Sequence, residues 1–247
     1  MKTIYLIFVE GLTDRIFYYK LLSTILNLEP KRYEVLPSSL KEFLDRFPSV
    51  KVNPRSKLSI IEGEQVLIVI MDCGGFNKIK ITLRMLLKEH DKLDQLLGDG
   101  LKYIIVIGDR DKSPLESIKG LLGSMGYKFF VEGNVLRLNN KIKVLCLSQG
   151  LMYNRATDQL EDYIVYLAER KHADIALAIN KFGEELRKSI GIGFDSKRLS
   201  LIYSAIIVSK EGMARFIEKL MDNINREVID DLMEESDLIY LLNLLRR

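Results

Sequence analysis

The sequence predicts an α/β fold, an open and mostly parallel sheet with flanking helices, continued by a helical C-terminal region. Three observations predict it. Ile4–Val9, Val66–Met71 and Tyr103–Ile107 are unbroken apolar runs, as expected of strands buried on both faces. Each is followed by a segment whose apolar residues recur at three and four, so strand and helix alternate. All five prolines (Pro30, Pro37, Pro48, Pro54 and Pro114) precede a proline-free stretch of 133 residues, in which Leu160, Ile164 and Leu167 keep helical spacing.

The elements follow in order. After Ile4–Val9, a helix begins at Thr13 or Asp14 and runs to about Leu26. Residues 37–65 are polar, with Pro and Ser, and read as an insertion. Val66–Met71 leads through Gly74-Gly75 to a helix from about Asn77 to His90. Tyr103–Ile107 leads through Asp109-Arg110-Asp111 to a helix from Pro114 to about Met125. Tyr127–Val131 and Val135–Leu138 read as strands joined by a Gly133-Asn134 turn, and Ile142–Leu147 as another. Beyond residue 150 the repeats Ile175-Ala176-Ile179, Leu199-Ile202-Ile206 and Phe216-Leu220 read as helices, broken most clearly at Gly191-Ile192-Gly193. The expected division is an α/β domain over 1–150 and a helical region over 151–247.

Composition narrows the function classes. With 47% hydrophobic and 29% charged residues the chain is of globular type, not disordered or fibrous. No apolar run approaches the ~20 residues that span a bilayer, and the six apolar residues before Glu10 form neither signal peptide nor anchor. No membrane partner is expected. Cys73 and Cys146 make no disulfide framework or zinc spacing, which points to a reducing, cytoplasmic setting. His90 and His172 are too few and too far apart for a histidine-based metal site. The net charge of +3 is unevenly spread. Residues 1–150 carry 23 basic and 17 acidic side chains (+6), and residues 151–247 carry 14 and 17 (−3).

Ligands of open α/β sheets bind beyond the carboxyl ends of the strands. Three of the expected strands end in acid: Val9-Glu10-Gly11, Met71-Asp72-Cys73 and Gly108-Asp109-Arg110-Asp111. Two carboxylates at i and i+2 in a loop can face one divalent cation, and hard oxygen ligands suit Mg²⁺ or Mn²⁺. Glycine beside an acid lets the backbone turn and leaves room for phosphate or metal.

Glu10-Gly11-Leu12-Thr13-Asp14 after a first strand, with Asp109-Arg110-Asp111 after a later one, resembles the Toprim domain. That domain occurs in topoisomerases, bacterial-type primases, 5S-rRNA maturases and overcoming-lysogenization-defect (OLD) nucleases. Cys73-Gly74-Gly75-Phe76-Asn77-Lys78 resembles the glycine-rich segment after the second strand of OLD-type and stand-alone Toprim proteins. Gln159-Leu160-Glu161-Asp162-Tyr163 resembles a Leu-Glu-Asp segment of that stand-alone group. The resemblance covers roughly residues 3–170 and implies a Rossmann-like Toprim fold. It implies that Glu10 acts in proton transfer or at a metal, that Asp109 and Asp111 hold Mg²⁺, and that Asp14 and Glu161 are further metal acids. There is no Gly-x-x-x-x-Gly-Lys phosphate loop, so the ATPase half of OLD proteins is absent. A stand-alone Toprim protein remains.

Other readings of the same residues stay open. Asp14 in a first helical turn also favours the helix dipole by ~0.3–1 kcal/mol. Asp72 ends a strand but lies outside the family pattern. Ser113-Pro114-Leu115-Glu116 is a capping box with Pro at the first helical position, and Asp158 with Glu161 has the same spacing. Lys80, Arg84 and Lys88 share one helix face opposite Ile79, Leu83, Leu86 and Leu87, and taken alone they read as a solvated face. Lys78 sits at that helix's amino end, where free N–H groups attract phosphate, and Arg110 and Lys112 flank the acids. Gly74, Gly75, Lys78, Arg84, Arg110 and Lys112 are therefore the phosphate-binding candidates. Tyr18, Tyr19 and Phe76 read as core.

The expected function is Mg²⁺- or Mn²⁺-dependent phosphodiester cleavage or transfer on DNA or RNA. The alternative is a non-catalytic metal- and nucleic-acid-binding module for regulation or assembly, with the tail serving a homo-oligomer or protein partner. A haloacid-dehalogenase-type phosphatase is suggested by Asp109-Arg110-Asp111 alone. It is disfavoured because that chemistry places its acid pair after the first strand.

Overall fold

The computed structural model describes residues 2–138, 142–151, 159–208 and 211–246. The chain divides into two compact units, Met1–Gly108 with Lys112–Leu147, and Asp109–Asp111 with Ser148–Arg247.

The first unit is built on β1 (Thr3–Val9), β4 (Val66–Asp72) and β5 (Leu101–Asp109). β1 lies between the other two and pairs parallel with both, Val9 opposite Asp72 and Phe8 opposite Val106. Side chains alternate across a strand. Ile4, Leu6 and Phe8 join a core that includes Ile79, Leu83 and Leu87 of α5 (Phe76–Lys88) and Ile118 and Leu122 of α7 (Pro114–Ser124). Tyr5, Ile7 and Val9, buried as well, belong to the alternate face. α1 (Leu12–Leu26) packs on β4 and on β3 (Leu58–Glu62), burying Phe17, Tyr18, Leu21 and Leu22. Burial on both faces is why β1, β4 and β5 read as unbroken apolar runs.

The sheet has eight strands in the order β2-β3-β4-β1-β5-β8-β7-β6, where β2 is Glu29–Pro30, β6 Phe129–Glu132, β7 Val135–Leu138 and β8 Ile142–Gln149. The sheet is mixed rather than mostly parallel. β2–β3, β3–β4, β6–β7 and β7–β8 are antiparallel. Short links such as Gly63-Glu64-Gln65 and Gly133-Asn134 cannot make a parallel crossover, which needs a dozen residues or more.

Segment 37–65 is more deeply built in than its polarity suggests. Besides β3 it forms α2 (Ser38–Leu44), α3 (Pro48–Val52) and α4 (Pro54–Lys57), and it buries Leu40, Phe43, Leu44 and Val50. α6 (His90–Gly98) follows α5 and precedes β5. α7 starts at Pro114 as expected, but Ser113 is left-handed (φ 45°) and its side chain makes no cap bond. Glu116 pairs with Lys119 at 2.8 Å instead, so the expected capping box is not formed.

The second unit is helical: α8 (Leu160–Lys171), α9 (Ala173–Ile190), α10 (Ser196–Val208), α11 (Gly212–Met221), α12 (Arg226–Glu234) and α13 (Leu238–Leu245). α8 is its centre. It packs against α9, α10, α11 and α12 and buries every residue from Asp162 to Ala168. Its carboxyl end is tied down by Lys171, whose ammonium donates to the carbonyls of Lys219 (2.6 Å), Leu220 (2.9 Å) and Asp222. α9 ends at Gly191 with φ 71°, a conformation open to glycine without strain, so the break falls where the Gly-x-Gly predicts it.

Candidate functional site

In the first unit the carboxyl ends of β1 and β4 are tied together by backbone. Cys73 N–H donates to the Val9 carbonyl at 3.0 Å, and Gly75 N–H to that of Glu10 at 2.6 Å. Gly74 (φ 77°) and Gly75 (φ 119°) take conformations that side chains disfavour, and Gly75 caps α5. The Lys78 ammonium lies 3.4 Å from where a Cβ on Gly74 would sit, so a cation hangs over the glycine turn.

Glu10 is half-buried just beyond β1. Its Oε1 lies 3.2 Å from the position of a Cβ on Gly108, the penultimate residue of β5, and the Phe76 ring comes to 2.7 Å of the same point. Gly108 is therefore the one residue type that lets the Glu10 carboxylate and the Phe76 ring close over the end of β5.

Asp14 and Asp72 have visible structural duties. The Asp14 carboxylate accepts the Gly11 N–H at 3.0 Å, securing the first turn of α1. Asp72 accepts the Gly74 N–H at 2.8 Å through one oxygen and pairs with Lys57 at 2.8 Å through the other. Lys57 comes from segment 37–65, a partnership with no local sequence signal. Beside them Arg15 is buried, donating to the carbonyls of Arg55 (2.8 Å) and Leu58 (2.7 Å); burial lowers its pKa, with Asp72 opposing. Neither thiol is a nucleophile near neutrality, since burial pushes both Cys73 and Cys146 up to about 12.

In the second unit, Asp109 Oδ1 accepts from the fully buried Gln149 amide at 3.3 Å, and the Arg110 guanidinium donates to the Gly150 carbonyl at 3.3 Å. Asp111 is exposed and Glu161 half-buried in the first turn of α8. The capping acid of α8 is Asp162, which accepts the Gln159 N–H at 3.1 Å. Asp158, the cap expected from sequence, lies outside the described residues. The Tyr163 phenol is raised by burial and by Asp237, with Arg110 opposing. Gln149 is a contributor that sequence reasoning missed, and its position at the end of β8 is the signal that could have found it.

The phosphate candidates are dispersed. Gly74, Gly75 and Lys78 sit at the start of α5, whereas Arg84 projects from its exposed face eight residues beyond Phe76, ~12 Å further along the axis. Lys112 is exposed, and its carbonyl accepts the Ser117 hydroxyl at 2.7 Å. Among the described residues no group of three or more His, Cys, Asp or Glu is gathered to hold a metal ion. Also among them, no helix is long and apolar enough to cross a membrane.

No protein-family model matches the chain, and no curated protein matches it. Among solved structures it is similar to the hypothetical protein PH0156 from Pyrococcus horikoshii OT3, with a TM-score of 0.73 at 20% identity over 99% of this chain and 100% of that one. The likeness shows that the α/β fold with its helical C-terminal region is shared.

Proposed function

We propose that the protein is a Toprim-type enzyme that cleaves or transfers phosphodiester bonds in DNA or RNA with Mg²⁺ or Mn²⁺. One observation carries this reading. β1 and β5 are hydrogen-bonded parallel neighbours, so Glu10 and Asp109 issue from the same edge of the sheet, where open α/β folds take their ligands. The glycine turn with its overhanging Lys78 lies at that edge too.

The donor set fits a hard cation. It is all oxygen, and Mg²⁺ is commonly held by one or two carboxylates, with waters and substrate phosphate completing its shell. Asp109 and Asp111 would hold it; Asp14 and Glu161 are further acids only by the Toprim resemblance. Once bound, such an ion supplies charge stabilisation at the phosphoryl oxygens. The chain's own residues do the rest. Glu10 takes the proton from the attacking hydroxyl or water. The free N–H groups at the start of α5, with Lys78, orient a non-bridging phosphate oxygen. Arg110 and Lys112 neutralise flanking phosphates.

The test is cleavage of supercoiled plasmid and of labelled single-stranded RNA. Turnover requires Mg²⁺ or Mn²⁺, stops in EDTA, and falls at least 100-fold in Asp109→Asn/Asp111→Asn. Activity that survives the double change contradicts the mechanism. Binding of polymer without turnover on any substrate favours the non-catalytic module.

A further inference from the structure

α5 and α7 pack side by side, and the surface between them is open. A cleft of ≈ 890 Å³ is lined by Arg84 and Lys88 of α5 and by Ser124, Met125, Tyr127 and Lys128 at the end of α7. A second hollow of ≈ 400 Å³ continues it along Asn77, Lys80 and Ile81 on one wall and Ser117, Gly120 and Leu121 on the other. Arg84 and Ser124 line both, so the two form one groove. The lining holds four cations and no acid. Among the described residues none of Lys80, Arg84, Lys88 and Lys128 makes a salt bridge. Lys80, Arg84 and Lys88 succeed one another at ~6 Å intervals along the helix axis.

Gly120 leaves the α7 wall of the groove smooth. It lies inside α7, is exposed, and does not need a positive φ. A Cβ there would meet nothing within 4 Å. Glycine weakens a helix interior relative to alanine. The groove wall is fixed at its far end, where the Tyr127 hydroxyl donates to the Leu87 carbonyl at the close of α5.

We propose that this groove is a track for the phosphodiester backbone of single-stranded nucleic acid. Packed helices have axes only ~8–10 Å apart. The major groove of B-DNA alone is about 12 Å wide, so a duplex is too broad to enter. A single backbone fits, and a row of cations without salt-bridge partners, with Tyr127 in the same lining, matches the basic groove with an aromatic side chain that single-strand binding uses. The inference rests on the phosphodiester reading for the identity of the polyanion, and names the strand state and the path of the substrate.

The test is fluorescence anisotropy with labelled 12-nucleotide single-stranded DNA and RNA and with the matching duplexes, in EDTA so that no cleavage intervenes. Single strands bind and duplexes bind at least tenfold more weakly. Four phosphate contacts give a slope of log K against log[salt] near about −2.8, and Arg84→Ala/Lys88→Ala reduces its magnitude by about 1.4. Gly120→Leu fills the groove without removing a charge, weakens binding at least fivefold, and raises the melting temperature. Both changed faces are exposed, so thermal melting reports whether the variants fold. Single-strand binding indifferent to all three substitutions overturns the proposal, and so does equal or tighter binding of duplex. If Asp109→Asn/Asp111→Asn retains cleavage while the groove variants lose binding, the metal mechanism fails and the groove stands. DNA bound in preference to RNA, or the reverse, identifies the polymer.

Discussion

β1 and α9 are the most instructive pair of elements in this molecule. Both are rich in apolar residues. In β1 all but the first residue are buried, shared between the two faces of a sheet covered by helices. In α9 only Ala176 and Ile179 of eighteen residues are buried, while Leu177, Phe182 and Ile190 are 57%, 57% and 60% exposed. Apolar residues reveal an element's period, but they do not reveal what covers it. In the first unit, period and burial coincide because strands and helices sandwich one another. In the second, α8 takes up the central position and α9 leaves several apolar side chains exposed.

That contrast sets the order of expected stability effects, each measured as a shift in urea midpoint at constant slope. Phe8→Ala, at the fully buried centre of the parallel core, costs about 3–5 kcal/mol. Gly108→Ala drives a methyl into the Phe76 ring and toward Glu10, costing about 1–3 kcal/mol. It also weakens any ligand held at that end of β5. Leu177→Ala, on α9, changes stability by no more than about 0.5 kcal/mol. A large loss at Leu177 would mean that this side chain is covered in solution.

A pH titration sharpens the same picture. Cys73 and Cys146 are raised from 9.0 to about 12 by burial, both in the first unit. A group whose folded pKa is raised contributes stability present below its unfolded value and lost as pH rises through the folded one. Melting temperature should therefore hold below about pH 9 and fall progressively toward pH 12. Cys146→Ala should flatten that fall; an unchanged alkaline slope would show that the thiol is not buried as described.

Much of this organisation is legible in the sequence, for reasons that also explain the gaps. β1, β4, β5 and β7 are unbroken or alternating apolar runs, and α1 and α5 keep helical spacing, so their places follow from local pattern. Pairing direction does not, because an apolar run says nothing of its neighbour. The mixed sheet emerges only from connection lengths. β3 was hidden because Leu58-Ser59-Ile60-Ile61 is flanked by Lys57 and by Glu62-Gly63-Glu64, which make the segment read as polar. α8 begins one residue later than a capping rule places it, since Gln159 is not a preferred cap and Asp158 is. At the candidate site, Glu10, Asp109 and the Gly74-Gly75 turn were legible from strand-end position. The Asp72–Lys57 pair and the lining of one cleft by both Arg84 and Lys128 are long-range, and a single sequence carries no trace of them.

The proposed holding of a divalent cation by Asp109 and Asp111 is best probed by Mn²⁺ binding. Calorimetric titration of the wild type should show saturable binding. Asp109→Asn/Asp111→Asn, which keeps the acceptor that Gln149 uses, should weaken it at least tenfold while the melting temperature stays within a few degrees. Equal Mn²⁺ affinity in the double variant would contradict the account.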